Sequence, residues 1–260
     1  MSKAVAKKNG NGKKVAVMKT GMFAEDAGIG VDDLGPDDLA IPFLKLFQKM
    51  SPELDDIENA RAGDLFNTVT KEVVKGSDGV RVVNCAYTLQ HIEWEPRGVG
   101  TGAPYTIYSA GDALPKTERG DDNKDYVVDG GGRYLERTAQ HYVLIVDADG
   151  MTQQALLPMK ATQLKKSKQW NSAIKTLKMK DANGDLFTPA RWSHIWHLES
   201  VGEENKNGSW HGWQISKDSQ IEDPNLYAEA KHFAESIMAG QVKVQHVQEG
   251  DSLSEDDVPF

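Results

Sequence analysis

The stretch "QHYVLIVDADGMTQQALLPMKATQLKKSKQWNSAIKTLKMK", residues 140–180, decides the fold class because it changes from strand periodicity to helix periodicity. Its first part has two apolar runs around "ADG", which predicts a β-hairpin. In its second part the apolar residues recur mostly at steps of three, four and six, while the lysines point elsewhere, which predicts an amphipathic helix with a basic outer face. These apolar residues are Leu164, Trp170, Ile174 and Leu177.

Strand and helix patterns continue on both sides. Upstream, "DLFNTVTKEVV" and "GVRVVNCAYTLQHIEWEP" flank the turn "KGSDG", which predicts a first hairpin. Downstream, "ARWSHIWHLESV" and "SWHGWQIS" predict another, and "DPNLYAEAKHFAESIMAG" predicts a helix with an Asp-Pro start and a Gly stop. Regular strand-helix alternation is missing, which argues against a parallel sheet. We therefore predict a mainly β fold with added helices (α+β), an OB-fold-like antiparallel barrel with a helix at one end.

The composition divides the chain into three regions. Residues 1–25 are predicted to be a disordered basic arm, 26–240 an OB-like domain, and 241–260 a disordered linker with an acidic tail. Within the domain, the Gly-, Pro- and Asp-rich region 97–137 is predicted to be a long insertion with a strand near "YTIY". The apolar patch at 41–47 is predicted to pack over the core.

The charge is segregated along the chain. The formal net charge of −9 argues at first against a nucleic-acid partner. However, the first 19 residues carry six lysines and no acid, and everything after Lys243 carries acids but no Lys or Arg. Such asymmetry indicates a nucleic-acid or regulatory role.

No apolar run approaches the roughly 20 residues that span a bilayer, and no secretory signal is present, so we expect a cytoplasmic protein without a membrane partner. The single cysteine, Cys85, lies in an apolar run and is expected to be a buried, inert thiol.

Enzyme motifs are missing from the sequence. "GVGTG" and "GGGR" do not have the spacing of phosphate-binding loops, His194 and His197 are not part of HExxH, and no serine lies in GxSxG. We therefore predict no enzymatic activity, cofactor or metal. The alternative is a nuclease in which Asp121, Asp122 and Asp125 bind magnesium, although their Gly-rich context is more typical of a surface turn.

Aromatic residues beside positive charge are the main functional signal. Single-stranded nucleic acid is held by aromatic faces that stack on bases and by Lys and Arg that contact phosphates. The alternative is that the tryptophans are core, since Trp192, His194 and Trp196 share one strand face. The candidate DNA-binding residues are Trp94, Arg97, Tyr105, Tyr108, Arg133, Tyr134, Arg137, Lys165, Lys166, Lys168, Trp170, Arg191 and Trp192.

The chain ends in "SEDDVPF", which places an aromatic residue after a cluster of carboxylates. A polar segment with one apolar anchor and clustered charge is typical of a docking peptide, and the alternative is a solubility tail. "DDVPF" resembles the acidic C-terminal tip of bacterial single-stranded DNA-binding proteins. The body, with "MFAEDAGIG", "IPFLKLFQKMSPEL" and "ARWSHIWHLES", is similar to a family of bacteriophage proteins, some of which are considered single-stranded DNA-binding proteins.

This resemblance implies a phage protein that binds and protects single-stranded DNA in replication, recombination or repair in the host cytoplasm. It implies that the tip recruits a polymerase, helicase, primase or nuclease. The tip residues that match the bacterial family are Asp256, Asp257, Val258, Pro259 and Phe260. The resemblance implies no DNA-contact residues, because no motif of the body matches residue by residue.

Two questions stay open from the sequence. The chain could instead be a protein-interaction adaptor that recruits host replication or repair machinery without binding DNA itself. A homodimer is possible, although heptad repeats are missing.

Overall fold

The computed structural model describes residues 23–31, 34–35, 39–205, 208–242, 244, 246 and 248. The chain divides into two compact units, Met1–Leu39 and Ala40–Phe260. The described residues of the first unit include a helical turn at 23–25. Most of the predicted basic arm and the whole acidic tip lie outside the described residues. Within the described part of the chain, no helix is long and apolar enough to cross a membrane.

The second unit contains short strands, five long strands and two long helices. The strands are β1 (Leu44–Leu46), β2 (Leu65–Asn67), β3 (Val73–Val74), β4 (Val80–Trp94), β5 (Thr106–Tyr108), β6 (Thr117–Arg119), β7 (Asp125–Val127), β8 (Tyr134–Val146), β9 (Thr152–Lys160), β10 (Met179–Lys180), β11 (Leu186–Phe187), β12 (His194–Asn205) and β13 (Gly208–Gln220). The helices are α1 (Glu53–Asp56), α2 (Gln163–Thr176) and α3 (Pro224–Met238), and a 3-10 turn spans Arg191–Ser193.

The main sheet is antiparallel and is built around β4 and β8, which pair along nearly their whole length. At one end of this pair the strand order is β9, β8, β4, β12 and β13. At the other end β5 pairs with β4, β7 pairs with β8, and β6 pairs with β7. The mainly β, antiparallel prediction is confirmed. Among the described residues β9 and β13 do not pair with each other, so no closed barrel is found.

Alternate residues of the long strands face two separate cores, which is why these strands read as nearly continuous apolar runs. On one face Val82 and Val143 pack under α2 with Trp170, which is 2% exposed. On the opposite face Val83 and Leu144 pack against α3. The main sheet is therefore the middle layer between two helices.

Both long helices lie where the sequence predicts them. In α3, the carboxylate of Asp223 accepts a hydrogen bond from the backbone N–H of Asn225, and Pro224 occupies the first turn. This arrangement satisfies a backbone donor that the helix itself leaves unpaired. Helix α2 contacts β8, β9 and β13, so it covers one face of the sheet between the two edge strands.

The hairpins β8–β9 and β12–β13 are confirmed, whereas the first predicted hairpin is wrong. The turn "KGSDG" forms, with the Gly79 N–H donating to the Lys75 carbonyl, but it carries the chain from one sheet into another. Strands β2 and β3 pair with each other in a small sheet with β1. Strand β4 is 15 residues long, and its partner is β8, which is long enough to pair along nearly all of it. Strand β3 has only two residues and is too short for this role.

The segments at both ends of this unit pack on the body. As predicted, the apolar patch at 41–47 covers the core, with Leu44 and Phe47 buried. Near the C-terminus Val242 and Val244 pack against the α3 core, and the His246 ring lies edge-on to Phe43. These described residues of the predicted linker contact the body, because alternate side chains find apolar or aromatic partners.

Gln248 fixes this C-terminal segment to the region between β4 and β8. Its backbone N–H donates to the Gly102 carbonyl at 2.9 Å. Its side-chain amide donates to the Glu95 carbonyl at 2.9 Å and to the Tyr134 hydroxyl at 3.0 Å. The side chain is buried, so the two side-chain bonds satisfy its amide nitrogen away from water.

Candidate nucleic-acid interface

The second half of the β4–β8 pair forms an open ribbon beyond the α2 core. The face that α2 covers contains Tyr87 and Leu89, and the alternation of β4 continues this face to His91 and Glu93. Residues 87–91 of β4 are half-buried, unlike the fully buried residues 82–86 before them. The ribbon therefore offers an accessible strand face that is anchored in the core at one end.

Three side chains cross this face in register. His91 pairs with Arg137 on β8 and with Tyr108 on β5, so the three lie side by side on neighbouring strands. Burial lowers the pKa of His91, and the positive charge of Arg137 lowers it further. At neutral pH the row therefore presents a neutral imidazole between a phenol ring and a guanidinium.

A second cluster lies one step along the ribbon and is centred on Glu93. Its carboxylate accepts hydrogen bonds from Arg133 Nε at 2.7 Å and from the Tyr108 hydroxyl at 2.8 Å. These bonds raise the pKa values of Tyr108 and Arg133. The Arg133 guanidinium carbon lies 4.0 Å above the ring of Tyr105, whose side chain is 54% exposed. Glu93 itself is 2% exposed, so a buried carboxylate fixes this surface pair.

The opposite end of the face is marked by Arg191. Its Nη1 donates to Asn171 Oδ1 of α2 at 2.9 Å and to Asn84 Oδ1 of β4 at 3.3 Å. Its guanidinium carbon lies 5.5 Å from the ring centroid of Tyr87. Burial lowers the pKa of Arg191, and the nearby Tyr87 opposes this effect. The geometry repeats the cation-over-ring arrangement of Arg133 and Tyr105.

Lysines of α2 extend the positive charge next to Arg191. Lys168 and Lys175 are exposed and share a helix face with Asn171, because they lie three and four residues from it. Lys165 is also exposed, whereas Lys166 pairs with Glu203 at 2.7 Å. Three of these four lysines therefore have no ion-pair partner among the described residues.

We call the ribbon face the aromatic–basic strip. It consists of Tyr87, His91, Tyr105, Tyr108, Arg133, Arg137 and Arg191. Rings can stack on unpaired bases, and the cations beside them can neutralise phosphates. Since adjacent same-face positions of a strand lie about 6.6 Å apart, the rings are spaced along the ribbon at distances that a flexible single strand can follow. A rigid duplex hides its base faces and cannot use such rings.

The structure brings together five of the predicted residues and separates the others. Tyr105, Tyr108, Arg133, Arg137 and Arg191 all belong to the strip, although Arg137 lies on β8 and not in the insertion. The connection between β4 and β8 spans 95–133 and carries the exposed Arg97.

Three predicted aromatic contacts have to be corrected. Trp94 and Tyr134 are 4% and 7% exposed and form a small core with Ile92. Trp170 stacks on His141 inside the α2 core, with 4.7 Å between ring centroids. A buried ring offers no face to a base, so these three residues are not candidates.

Trp192 is packed against the α3 core, and its indole N–H is buried. Its ring centroid lies 6.4 Å from that of Tyr227 on α3. It therefore faces the layer opposite to the strip. Of these candidate tryptophans, only Trp94 lies on a strand, where alternation places it on the buried face, whereas Trp170 lies on α2 and Trp192 in the 3-10 turn.

Three residues on this face were not predicted from the sequence: Tyr87, His91 and Glu93. Their signal is the run "YTLQHIE", in which every second residue points to one face. The run could not be assigned to an exposed face without knowing where α2 ends on the sheet.

A buried Ser-His-Asn arrangement lies under α2. His141 Nε2 and Ser167 Oγ are 2.8 Å apart, and the Asn84 amide nitrogen lies 2.9 Å from His141 Nδ1. Since Asn84 uses its oxygen for Arg191, its nitrogen donates to Nδ1, and the ring proton is on Nε2. Burial lowers the pKa of His141 to about 3. The imidazole Nε2–H therefore donates its hydrogen bond to Ser167 Oγ. A general base would instead accept the hydrogen bond from the serine hydroxyl.

The residues of the alternative metal sites form local contacts instead. Asp122 accepts from the Tyr126 hydroxyl and pairs with Lys124, and Asp125 pairs with Arg119. His194 bonds to Ser193, and His197 bonds to the Asp78 carbonyl and pairs with Glu199. Among the described residues, no three His, Cys, Asp or Glu side chains are grouped to hold a metal ion. Cys85 is buried as expected, and burial raises its pKa to about 12.

Fold and surface together define an antiparallel-sheet protein with a helix on each face and an open aromatic–basic strip. A family model described as Pam3 phage gp34-like protein matches residues 8–243. The chain belongs to this Pam3 phage gp34-like family. No curated protein matches the chain. No solved structure matches it either.

Proposed function

We propose that the protein binds single-stranded DNA along the aromatic–basic strip and acts without catalysis in phage DNA replication, recombination or repair. The observation that carries this proposal is the row of Tyr108, His91 and Arg137, next to the stacked pair of Tyr105 and Arg133. Rings and cations alternate on one accessible strand face, which is the arrangement that single strands require.

The layout of the sheet supports the same proposal. We infer that the fold is an open relative of the OB barrel, in which α2 contacts both edge strands, β9 and β13, where a barrel would close. OB folds bind oligonucleotides on a strand face bracketed by loops. Here the insertion at 95–133 follows one end of the strip, and the segment that leads to Arg191 lies at the other.

The proposal includes a second role for the C-terminal tip. Asp256, Asp257, Val258, Pro259 and Phe260 recruit replication or recombination proteins, with Phe260 as the anchor and the carboxylates as its charged partners. The phage origin of the family and the resemblance of the tip to that of bacterial single-stranded DNA-binding proteins support this role. The host cytoplasm is the compartment where such partners would meet the protein.

Tail and strip would also compete. Gln248 is fixed near Glu95 and Gly102, and the 12 residues after it could reach about 40 Å when extended. An acidic segment of this reach resembles a polyanion and would weakly occupy the cations of the strip. DNA binding would then release the tip for its partners.

Fluorescence anisotropy of a labelled oligo-dT, at low and moderate salt, tests the proposal, with a duplex of equal length as the control. We expect tight, salt-sensitive binding to the single strand and weak binding to the duplex. A lack of binding to the single strand at low salt would contradict the proposal and favour a protein-interaction adaptor.

A further inference from the structure

A small hairpin between α2 and β12 was not part of the predicted site. Met179 pairs with Phe187 and Lys180 with Leu186, and the two strands form a sheet of their own. Its turn is well defined, because the Asp181 carboxylate accepts from the backbone N–H groups of Asn183 and Asp185 at 2.8 and 2.9 Å. The hairpin thus has a well-defined turn, although in the part of the chain that the structure describes no third strand pairs with it.

The hairpin exposes two large apolar side chains. Leu186 is 66% exposed and Phe187 is 43% exposed. A two-stranded ribbon is at best marginally stable in water. Exposing large apolar side chains on it is unfavourable, because burying apolar surface lowers the free energy. Such a feature indicates a contact surface for a ligand or partner.

The hairpin stands beside the strip. Lys178 Nζ donates to Thr188 Oγ1 at 2.7 Å and joins the two ends of the hairpin. Leu177, at the end of α2, packs against the same core as Tyr87, and three residues after Thr188 the chain reaches Arg191. Because Arg191 is bonded to both α2 and β4, the base of the hairpin is held at the Tyr87 end of the strip.

The charge of this segment favours a polyanionic ligand over an apolar protein surface. Residues 163–191 contain seven Lys and Arg and two acids, in a chain with a net charge of −9. One of the acids, Asp181, is used in the turn. Lys175 and Lys180 are exposed, and Lys180 pairs with Leu186 and shares its face of the ribbon, whereas Phe187 faces the other side. An exposed aromatic ring on a segment rich in exposed lysines is the same combination of residue types as in the strip.

We propose that this hairpin is a second contact for the bound single strand, in which Phe187 stacks on a base and Lys175 and Lys180 contact phosphates. The inference rests on the proposed function of the strip. The strip holds a short oligonucleotide by itself, and the hairpin adds affinity only when the strand continues past Arg191.

Binding of the full chain to oligo-dT of two lengths tests the inference, with oligonucleotides of about 4 and about 20 nucleotides. Phe187→Ala should weaken binding of the longer strand by about fivefold to 150-fold, the range for one lost base stack. Its effect on the shorter strand should stay below about twofold. Phe187→Trp should bind the longer strand as tightly as the unmodified protein, because an aromatic ring remains at this position. Met151→Ala, which truncates another exposed apolar side chain at the β8–β9 turn, should leave both unchanged.

The outcomes separate this inference from the proposed function. If the unmodified protein binds no single strand, DNA binding by the strip is overturned, and so is the second contact at the hairpin. If it binds and Phe187→Ala binds the longer strand equally well, only the hairpin contact is overturned. A change in sedimentation of Phe187→Ala without oligonucleotide, with unchanged DNA affinity, would also overturn it and identify a contact between copies of the chain.

Discussion

The guanidinium carbon of Arg133 lies 4.0 Å above the ring centroid of Tyr105, and Glu93 holds the same arginine through its Nε. A buried carboxylate thus fixes the plane of a surface cation over an exposed ring. Pre-organisation of this kind reduces the entropy lost when a ligand orders the side chains.

Tyr105→Ala should reduce affinity for oligo-dT by about 1 to 3 kcal/mol, roughly fivefold to 150-fold, because it removes one stacking platform. Tyr105→Phe should retain most of the affinity, since the ring face remains. Tyr227→Ala is the matched control, because Tyr227 is 40% exposed on α3, on the opposite layer. Equal losses for Tyr105→Ala and Tyr227→Ala in an anisotropy titration would argue against the strip.

Arg137→Gln should lower the slope of log affinity against log salt by about 0.7, because one phosphate contact to a single strand is lost. The matched control is Arg81→Gln at the other end of β4, which pairs with Asp218. Its slope should equal that of the unmodified protein. Titrations over several salt concentrations give both slopes, and identical slopes for the two variants would place Arg137 outside the interface.

Glu93→Ala should destabilise the fold by about 1 to 3 kcal/mol, since it removes the acceptor for a charged donor and a phenol in a buried position. The midpoint of urea unfolding measures this loss. Glu136→Ala breaks a more exposed ion pair, Lys160–Glu136, and should cost about 1 kcal/mol or less. If the two variants unfold at the same urea concentration, the buried carboxylate does not have the structural role described above.

Acid should destabilise the body through His246. Burial lowers the pKa of His246 to about 4, below the ordinary value of 6.5, so the unfolded chain binds the proton more readily. The contribution of the neutral, buried His246 to the free energy of unfolding is therefore complete above about pH 6.5 and is lost as the pH falls towards 4. Between pH 7 and pH 5 this single group accounts for about 2 kcal/mol.

His246→Asn should flatten the fall in stability between pH 7 and pH 5. Urea unfolding at the two pH values, for the variant and for the unmodified chain, measures the difference. His141, with a pKa of about 3, contributes in the same direction in both proteins, so it does not obscure the comparison. A variant whose pH dependence matches that of the unmodified chain would show that His246 is not buried against Phe43 in solution.

Deletion of residues 254–260 should raise affinity for oligo-dT at low salt, and the gain should shrink as salt screens the tail. Replacement of Asp256 and Asp257 by Asn should give part of the gain without shortening the chain. Phe260→Ala should leave DNA binding unchanged while abolishing partner docking. Unchanged affinity and unchanged salt dependence after the deletion would exclude competition between tail and strip.

Local patterns in the sequence predicted most individual elements. The boundaries of α3 follow from Asp223-Pro224 and Gly240, and the β8–β9 turn follows from "DADG", because these are signals within a few residues. The pairing of β4 with β8 was missed because some 40 residues lie between them, and no local signal encodes such a contact.

Burial decided which candidate residues could belong to the site. Tyr105 and Trp94 are both aromatic candidates from the sequence, but one ring is exposed and the other is core. Composition cannot distinguish them, since the difference depends on which sheet face each strand position takes. The role of Glu93 was also beyond the sequence, because its partners Arg133 and Tyr108 come from different elements.

Photocrosslinking would locate the bound strand on the protein and so show whether it lies on the strip. Oligo-dT containing 4-thiothymidine is irradiated with the full chain, and the crosslinked peptides are identified by mass spectrometry. The account predicts crosslinks in the peptides that contain Tyr105, Tyr108 and Tyr87, and their loss when unlabelled single strand competes. Crosslinks confined to α3 and its face of the sheet would contradict it.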